Sequence, residues 1–235
     1  MPVKIFGHYF IVTFLFLTIA ELLSLIGYFI PSATVALIFV VTLIVLVISL
    51  RKLEYGLYAL VAELAVGGQG HLLTTNFHGV TISIRQILFA IVLVTWVISK
   101  VKSVEKINKQ QLLVFIPLAV AIGLGLILGF FRNQPANVFF DANAWLYFIL
   151  APVIIDVVKT KKIVGDVVQV LAGATTFISV QTVMLLILFS HNVTGVGGVF
   201  YHWLRDSAIG EVTYMSGTLF RIFLDRKSTR LNSSH

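Results

Sequence analysis

Apolar residues fall along the chain in long runs, and polar residues gather in the gaps between them. Seven runs can be drawn, at about residues 8–30, 32–50, 53–66, 80–99, 111–131, 142–158 and 166–190. An α-helix needs roughly 20 apolar residues to cross about 30 Å of hydrocarbon, and most of the runs approach that length. A membrane barrel would alternate lipid-facing and lumen-facing positions along each strand, and these runs do not alternate. The pattern predicts an all-α fold, a polytopic transmembrane helix bundle of about seven spans. The third run is short, about 21 Å as a helix, and Gly67-Gly68-Gln69-Gly70 ends it. Irregular backbone at membrane depth persists only under cover of protein or beside a watery cavity. Residues 67–79 are therefore read either as an outward-facing recess or as a plain external loop.

Composition agrees with this class. The chain is 58% hydrophobic and 11% charged, with mean hydropathy +1.00, whereas soluble domains are about 45–50% apolar and about 25% charged. With no cysteine there is neither a disulfide framework nor a thiolate metal site. The first run is too long for a signal-peptide core and is read as a retained span.

Charge then orients the bundle. One set of connections holds Lys4, then Arg51 and Lys52, then Lys100, Lys102, Lys106 and Lys109, then Lys159, Lys161 and Lys162. The alternate set, up to residue 224, has no lysine, only Arg85, Arg132, Arg205 and Arg221. The positive-inside rule makes the first set cytoplasmic, so the N-terminus is expected inside and residues 191–224 outside. The net charge of +7 thus marks a membrane side, and no nucleic-acid partner is expected.

The ending is of another kind. Asp225 to His235, DRKSTRLNSSH, reads as the in-frame translation of a widely used sequencing adapter and is set apart from fold reasoning. The expected organisation is a helical domain over 1–190, the start of a large external loop over 191–224, and an artefactual tail over 225–235. Glu211 to Met215 and Thr218 to Leu224, flanking Ser216-Gly217, could form a small external β-hairpin.

Ionisable residues within spans need a partner or a role, because each costs about 2.5–3.5 kcal/mol at mid-membrane on insertion scales. Glu21 falls near the middle of the first run, where a hydrogen bond inside the bundle would hold it. Glu54 and Asp156 lie near the cytoplasmic face beside Arg51, Lys52 and Lys159 and read as interfacial ion pairs. Glu63 and Arg85 match in depth near the outer ends of the third and fourth runs. They form an ion pair between neighbouring helices, or Arg85 binds an anion while Glu63 orients it; the sequence leaves both open. Asp141 reads as a helix N-cap, and Arg132 as an interfacial arginine or a further anion contact. Trp145, Tyr147 and Trp203 fall at the outer boundary, where amphipathic rings belong. Ala121, Gly125 and Gly129 recur every fourth residue, a helix-packing spacing. His71 and His78 lack metal-ligand spacing, so neither metal nor cofactor is expected.

Three features together resemble the bacterial O-antigen ligase and O-antigen polymerase family. They are the order of parts, the stretch FDANAWLYFIL (Phe140 to Leu150), and YHWLRDSAIGEVTYMSGTLFRIFL (Tyr201 to Leu224) with its pieces WLRD, IGE and FRI. SIRQ around Arg85 fits as well. The resemblance implies transfer of a glycan from an undecaprenyl-diphosphate carrier to a glycan or lipid acceptor, at the outer face of the bacterial cytoplasmic membrane. It implies that Arg85, Arg205, Arg221 and, more weakly, Arg132 hold the donor diphosphate. Glu63, Asp206, Glu211 and Asp141 would support them. The histidine proposed as base in that family lies in a second half, so the chain is expected to be an N-terminal portion, inactive alone. A transporter or lipid-carrier flippase is the alternative, with Glu21 and the interrupted third run lining a path.

Overall fold

The structure is a computed structural model describing residues 4–66, 73–77, 80–103, 109–133, 138, 145, 147–190, 202–203, 211–216 and 219–223, the last two segments by backbone alone. Among these, seven α-helices and two antiparallel hairpins follow one another. They are α1 (His8–Phe29), α2 (Pro31–Arg51), α3 (Leu53–Val66), the hairpin β1 (Thr74–Phe77) and β2 (Val80–Ser83), and α4 (Ile84–Ser103). Then come α5 (Lys109–Arg132), a 3-10 turn (Tyr147–Ile149) leading into α6 (Leu150–Val157), α7 (Lys161–Ser190), and the hairpin β3 (Glu211–Ser216) and β4 (Leu219–Phe223).

Five helices, α1, α2, α4, α5 and α7, are long and apolar enough to cross a membrane. The remaining two are shorter. α3 has 14 residues and α6 has 8, so neither reaches the roughly 30 Å of a hydrocarbon core alone at 1.5 Å per residue. Of the sixth run, drawn as 142–158, the described part includes the 3-10 turn and α6, while residues 142–144 and 146 lie outside the described residues.

Local chemistry sets the breaks. Ile30 alone separates α1 from α2, and Pro31 opens α2, where its fixed φ suits a first helical turn and its missing N–H costs nothing. Thr34 Oγ1 donates to the Gly27 carbonyl across this corner at 3.0 Å. Lys52 alone separates α2 from α3, and its ammonium lies 5.7 Å from the centre of the Tyr55 ring.

The short α3 is the axis of the bundle. Gly56, Leu57, Tyr58, Ala59, Leu60, Ala62 and Glu63 are all buried, so the helix is covered around its circumference. Its Leu57 and Leu60 belong to a core shared with Ile38 and Val45 of α2, Leu88 and Val92 of α4 and Val153 of α6. Its Tyr58 and Ala62 belong to a second core with Leu17 of α1 and Val170, Ala174 and Phe177 of α7. Small residues permit these approaches, as packing in lipid requires. A Cβ on Gly173 would stand 2.8 Å from the Phe10 carbonyl oxygen, so the backbones of α1 and α7 approach closely there.

α1 and α7 run in the same direction. The backbone N–H of Tyr9, one of the donors a helix start leaves unused, bonds Gln169 Oε1 at 3.2 Å. Further along, Phe14 meets the ring of Phe177 edge-on, and Gln181 Nε2 donates to Glu21 Oε1. Tyr58 of α3 donates to Asp166 of α7 at 3.5 Å. α5 stands apart: no residue in Phe115–Arg132 is buried, and Gly129 meets Val138 as its closest neighbour outside the helix.

A hairpin where the sequence predicts the start of a helix is a correction. Val80 to Ser83 read as the beginning of the fourth span, but they pair with Thr74 to Phe77, Thr74 opposite Ser83 and Phe77 opposite Val80. Helix α4 begins at Ile84. The second hairpin falls where expected, with Glu211 opposite Phe223 and Ser216 opposite Leu219 and an irregularity between Tyr214 and Ser216. Its first strand runs on through Ser216, so residues 217–218 join the strands.

Candidate functional site

The best-formed polar site is at the start of α4. Ser83 is the N-cap, and its Oγ accepts from the Gln86 backbone N–H at 3.4 Å. Gln86 Oε1 accepts in return from the Ser83 N–H at 3.1 Å. This reciprocal pair is a capping box, which satisfies two of the donors a helix start leaves unbonded. The Ile84 N–H is satisfied by the Leu73 carbonyl at 2.9 Å. Capping therefore accounts for Ser83 and Gln86 of the SIRQ stretch, and the residue it leaves to other chemistry is Arg85.

A cation is out of place at a helix N-terminus, where the aligned peptide dipoles already present positive charge. The fold compensates from α3. Arg85 Nε donates to Glu63 Oε2 at 2.8 Å, with side-chain exposures of 14% and 5%. The carboxylate thus faces both a guanidinium and the positive end of α4. Glu63 Oε1 is buried with no hydrogen-bond partner. One turn along α4 from Arg85, Phe89 packs edge-on against Tyr147 at 5.4 Å, closing the site toward α6. The bond from Nε to Glu63 anchors the guanidinium. Such a planar, permanently charged fork suits a phosphate oxygen.

The other proposed anion contacts do not join this pair in the described residues. Arg132 ends α5 and is exposed. Arg221 lies in β4 with its backbone opposite Thr213, two register positions from the Glu211–Phe223 pair. Arg205, Asp206 and Asp141 lie outside the described residues, as do His71 and His78. Among the described residues, no three His, Cys, Asp or Glu side chains converge as a metal site would require.

Two partnerships escaped the sequence reading. Glu21, expected to find a hydrogen bond within the bundle, finds it at Gln181, whose side chain is buried. Near it on α1, buried Ser24 accepts from the Nε1–H of Trp203 at 3.4 Å. Trp203 is buried, while Trp145 is exposed and stacks on Phe148. Asp156 pairs with Lys159 at 2.8 Å, as expected, and also with Lys100 of α4 at 2.7 Å. Trp96 Nε1 donates to the same carboxylate at 3.0 Å. Depth along the runs, which matched Glu63 with Arg85, does not say which helices adjoin and gave no signal for either pair.

The architecture is that of an α-helical membrane bundle. Beyond that class, no protein-family model matches the chain, and neither a curated protein nor a solved structure matches it.

Proposed function

We propose that the chain is a multi-pass protein of the bacterial cytoplasmic membrane, with seven membrane segments and its N-terminus inside. Its role is to bind the undecaprenyl-diphosphate donor of a glycan ligase or polymerase. The reaction moves the glycan from its lipid diphosphate to a glycan or lipid acceptor at the outer face. The observation that carries this reading is Arg85, fixed through Nε by buried Glu63 at the start of α4. Lys100 and Lys102 lie in the last turn of the same helix, so Arg85 sits at the end opposite the lysines. Transfer from a diphosphate releases an anionic leaving group, and a pre-fixed cation stabilises charge as it develops there. Arg205 and Arg221 belong to the same proposal, from the segment that follows α7.

Binding of undecaprenyl diphosphate to the purified chain in detergent tests the reading. A charge-assisted hydrogen bond is worth about 1.5–3 kcal/mol, so Arg85→Ala should weaken binding about ten- to hundredfold. Because that change strands Glu63, the double variant Glu63→Ala/Arg85→Ala serves beside it and should remain as weak. Wild-type affinity in the double variant overturns the proposal. A transporter or flippase of the lipid carrier is the alternative, favoured by the Glu21–Gln181 contact inside the bundle. In that case binding follows Glu21→Gln and is indifferent to Arg85.

A further inference from the structure

At the end opposite Arg85, one carboxylate draws two helices' lysines to a single place. Asp156 Oδ2 takes Lys100 Nζ at the end of α4, and Oδ1 takes Lys159 Nζ in the turn between α6 and α7. Three more lysines follow within two or three residues of this bridge. Lys102 continues α4, while Lys161 and Lys162 open α7, and all three are exposed. Two ammonium groups therefore meet at one aspartate, and three exposed ones follow close by in sequence.

The surface beside them is apolar and exposed. Val101, between Lys100 and Lys102, is 75% exposed. Ile154 and Ile155 of α6 and Val164 of α7 are also exposed. Excess cations bordering directly on apolar helix faces match a molecule with an anionic head and hydrocarbon tails. The positive-inside bias requires only a surplus of lysines on one side. It does not require that lysines of separate helices be gathered at one carboxylate.

We propose that the junction of α4, α6 and α7 at the lysine-rich end is a binding site for the phosphate headgroup of an anionic phospholipid. Lys102, Lys161 and Lys162 contact the phosphate, and Asp156 holds Lys100 and Lys159 in place behind them. Basic recesses between transmembrane helices commonly take such headgroups, each basic residue near the surface contributing appreciably. The site is separate from Arg85 and does not depend on the glycan-transfer reading.

The test compares the full chain in nanodiscs of phosphatidylcholine alone and of phosphatidylcholine with phosphatidylglycerol, counting retained lipids by native mass spectrometry. Wild type should retain phosphatidylglycerol in preference to phosphatidylcholine. Lys161→Gln/Lys162→Gln should lower that retention at least threefold more than Arg51→Gln/Lys52→Gln, which removes the same charge from another connection of the same end. Both pairs leave the Asp156 bridges intact. Equal losses in the two variants, or no preference in wild type, overturn the proposal. Displacement of the lipid by millimolar inorganic phosphate would assign the site to the free ion and overturn it as well.

Discussion

Asp156 shows how one residue joins elements distant in sequence. It accepts from Lys100, Lys159 and Trp96 at once, so its removal leaves two ammoniums and an indole without their acceptor. Charge-assisted bonds of this kind contribute about 1.5–3 kcal/mol each where they are sheltered. Asp156→Ala should accordingly destabilise the protein by about 2 kcal/mol, read from its melting temperature in detergent, and Asp156→Asn should lose less because an amide oxygen still accepts from Trp96. Identical losses would assign the effect to packing instead. Residues were legible in the sequence as far as depth could be counted. Glu63 and Arg85 were paired that way, because each lies near the same end of its run. Gln181 and Lys100 were not, because depth says nothing about which helices lie side by side.

Elements were more legible than their edges. The apolar runs locate α1, α2, α3 and α5 to within two residues, since a break such as Ile30-Pro31 or Lys52 is written in backbone chemistry. The hairpin before α4 was missed because Val80-Thr81-Ile82-Ser83 is apolar enough to extend the following helix. The signal lay in its β-branched residues and in Thr74-Thr75 shortly before them, residue types that read as strand. Glycine positions separate packed from unpacked helices. Gly173→Val should cost about 1–3 kcal/mol, the usual penalty of overpacking, because the Phe10 carbonyl and Thr13 already fill the space. Gly125→Ala should cost nothing, as a Cβ there meets nothing within 4 Å. Thermal melting of the two variants side by side checks both; equal behaviour would contradict the packing of α1 against α7.

At the scale of the whole molecule, α1 and α7 run in the same direction. The absence of cysteine makes the orientation simple to measure, since a single introduced thiol has no background. In the proposed orientation, Asn133→Cys, at the exposed end of α5, reacts with a membrane-impermeant maleimide in intact cells whose outer barrier has been opened. Lys52→Cys, between α2 and α3, reacts only after lysis. The reverse pattern would turn the bundle over. The class of fold could be read from the runs alone, whereas the central place of α3 could not. Its shortness looked like a defect of the third span until its burial on all sides showed that neighbours, and not lipid, surround it.

The α1–α7 partnership has a consequence for synthesis. Glu21 and Gln181 are 160 residues apart, and ribosomes add about 5–20 residues per second. Glu21 therefore exists for about 10–30 s before its partner has been made. During that interval a carboxyl group bound for the middle of a bilayer has no amide to receive it. The nascent first helix must either wait beside the insertion machinery or borrow a temporary donor there, so the α1–α7 contact can form only once α7 has been made.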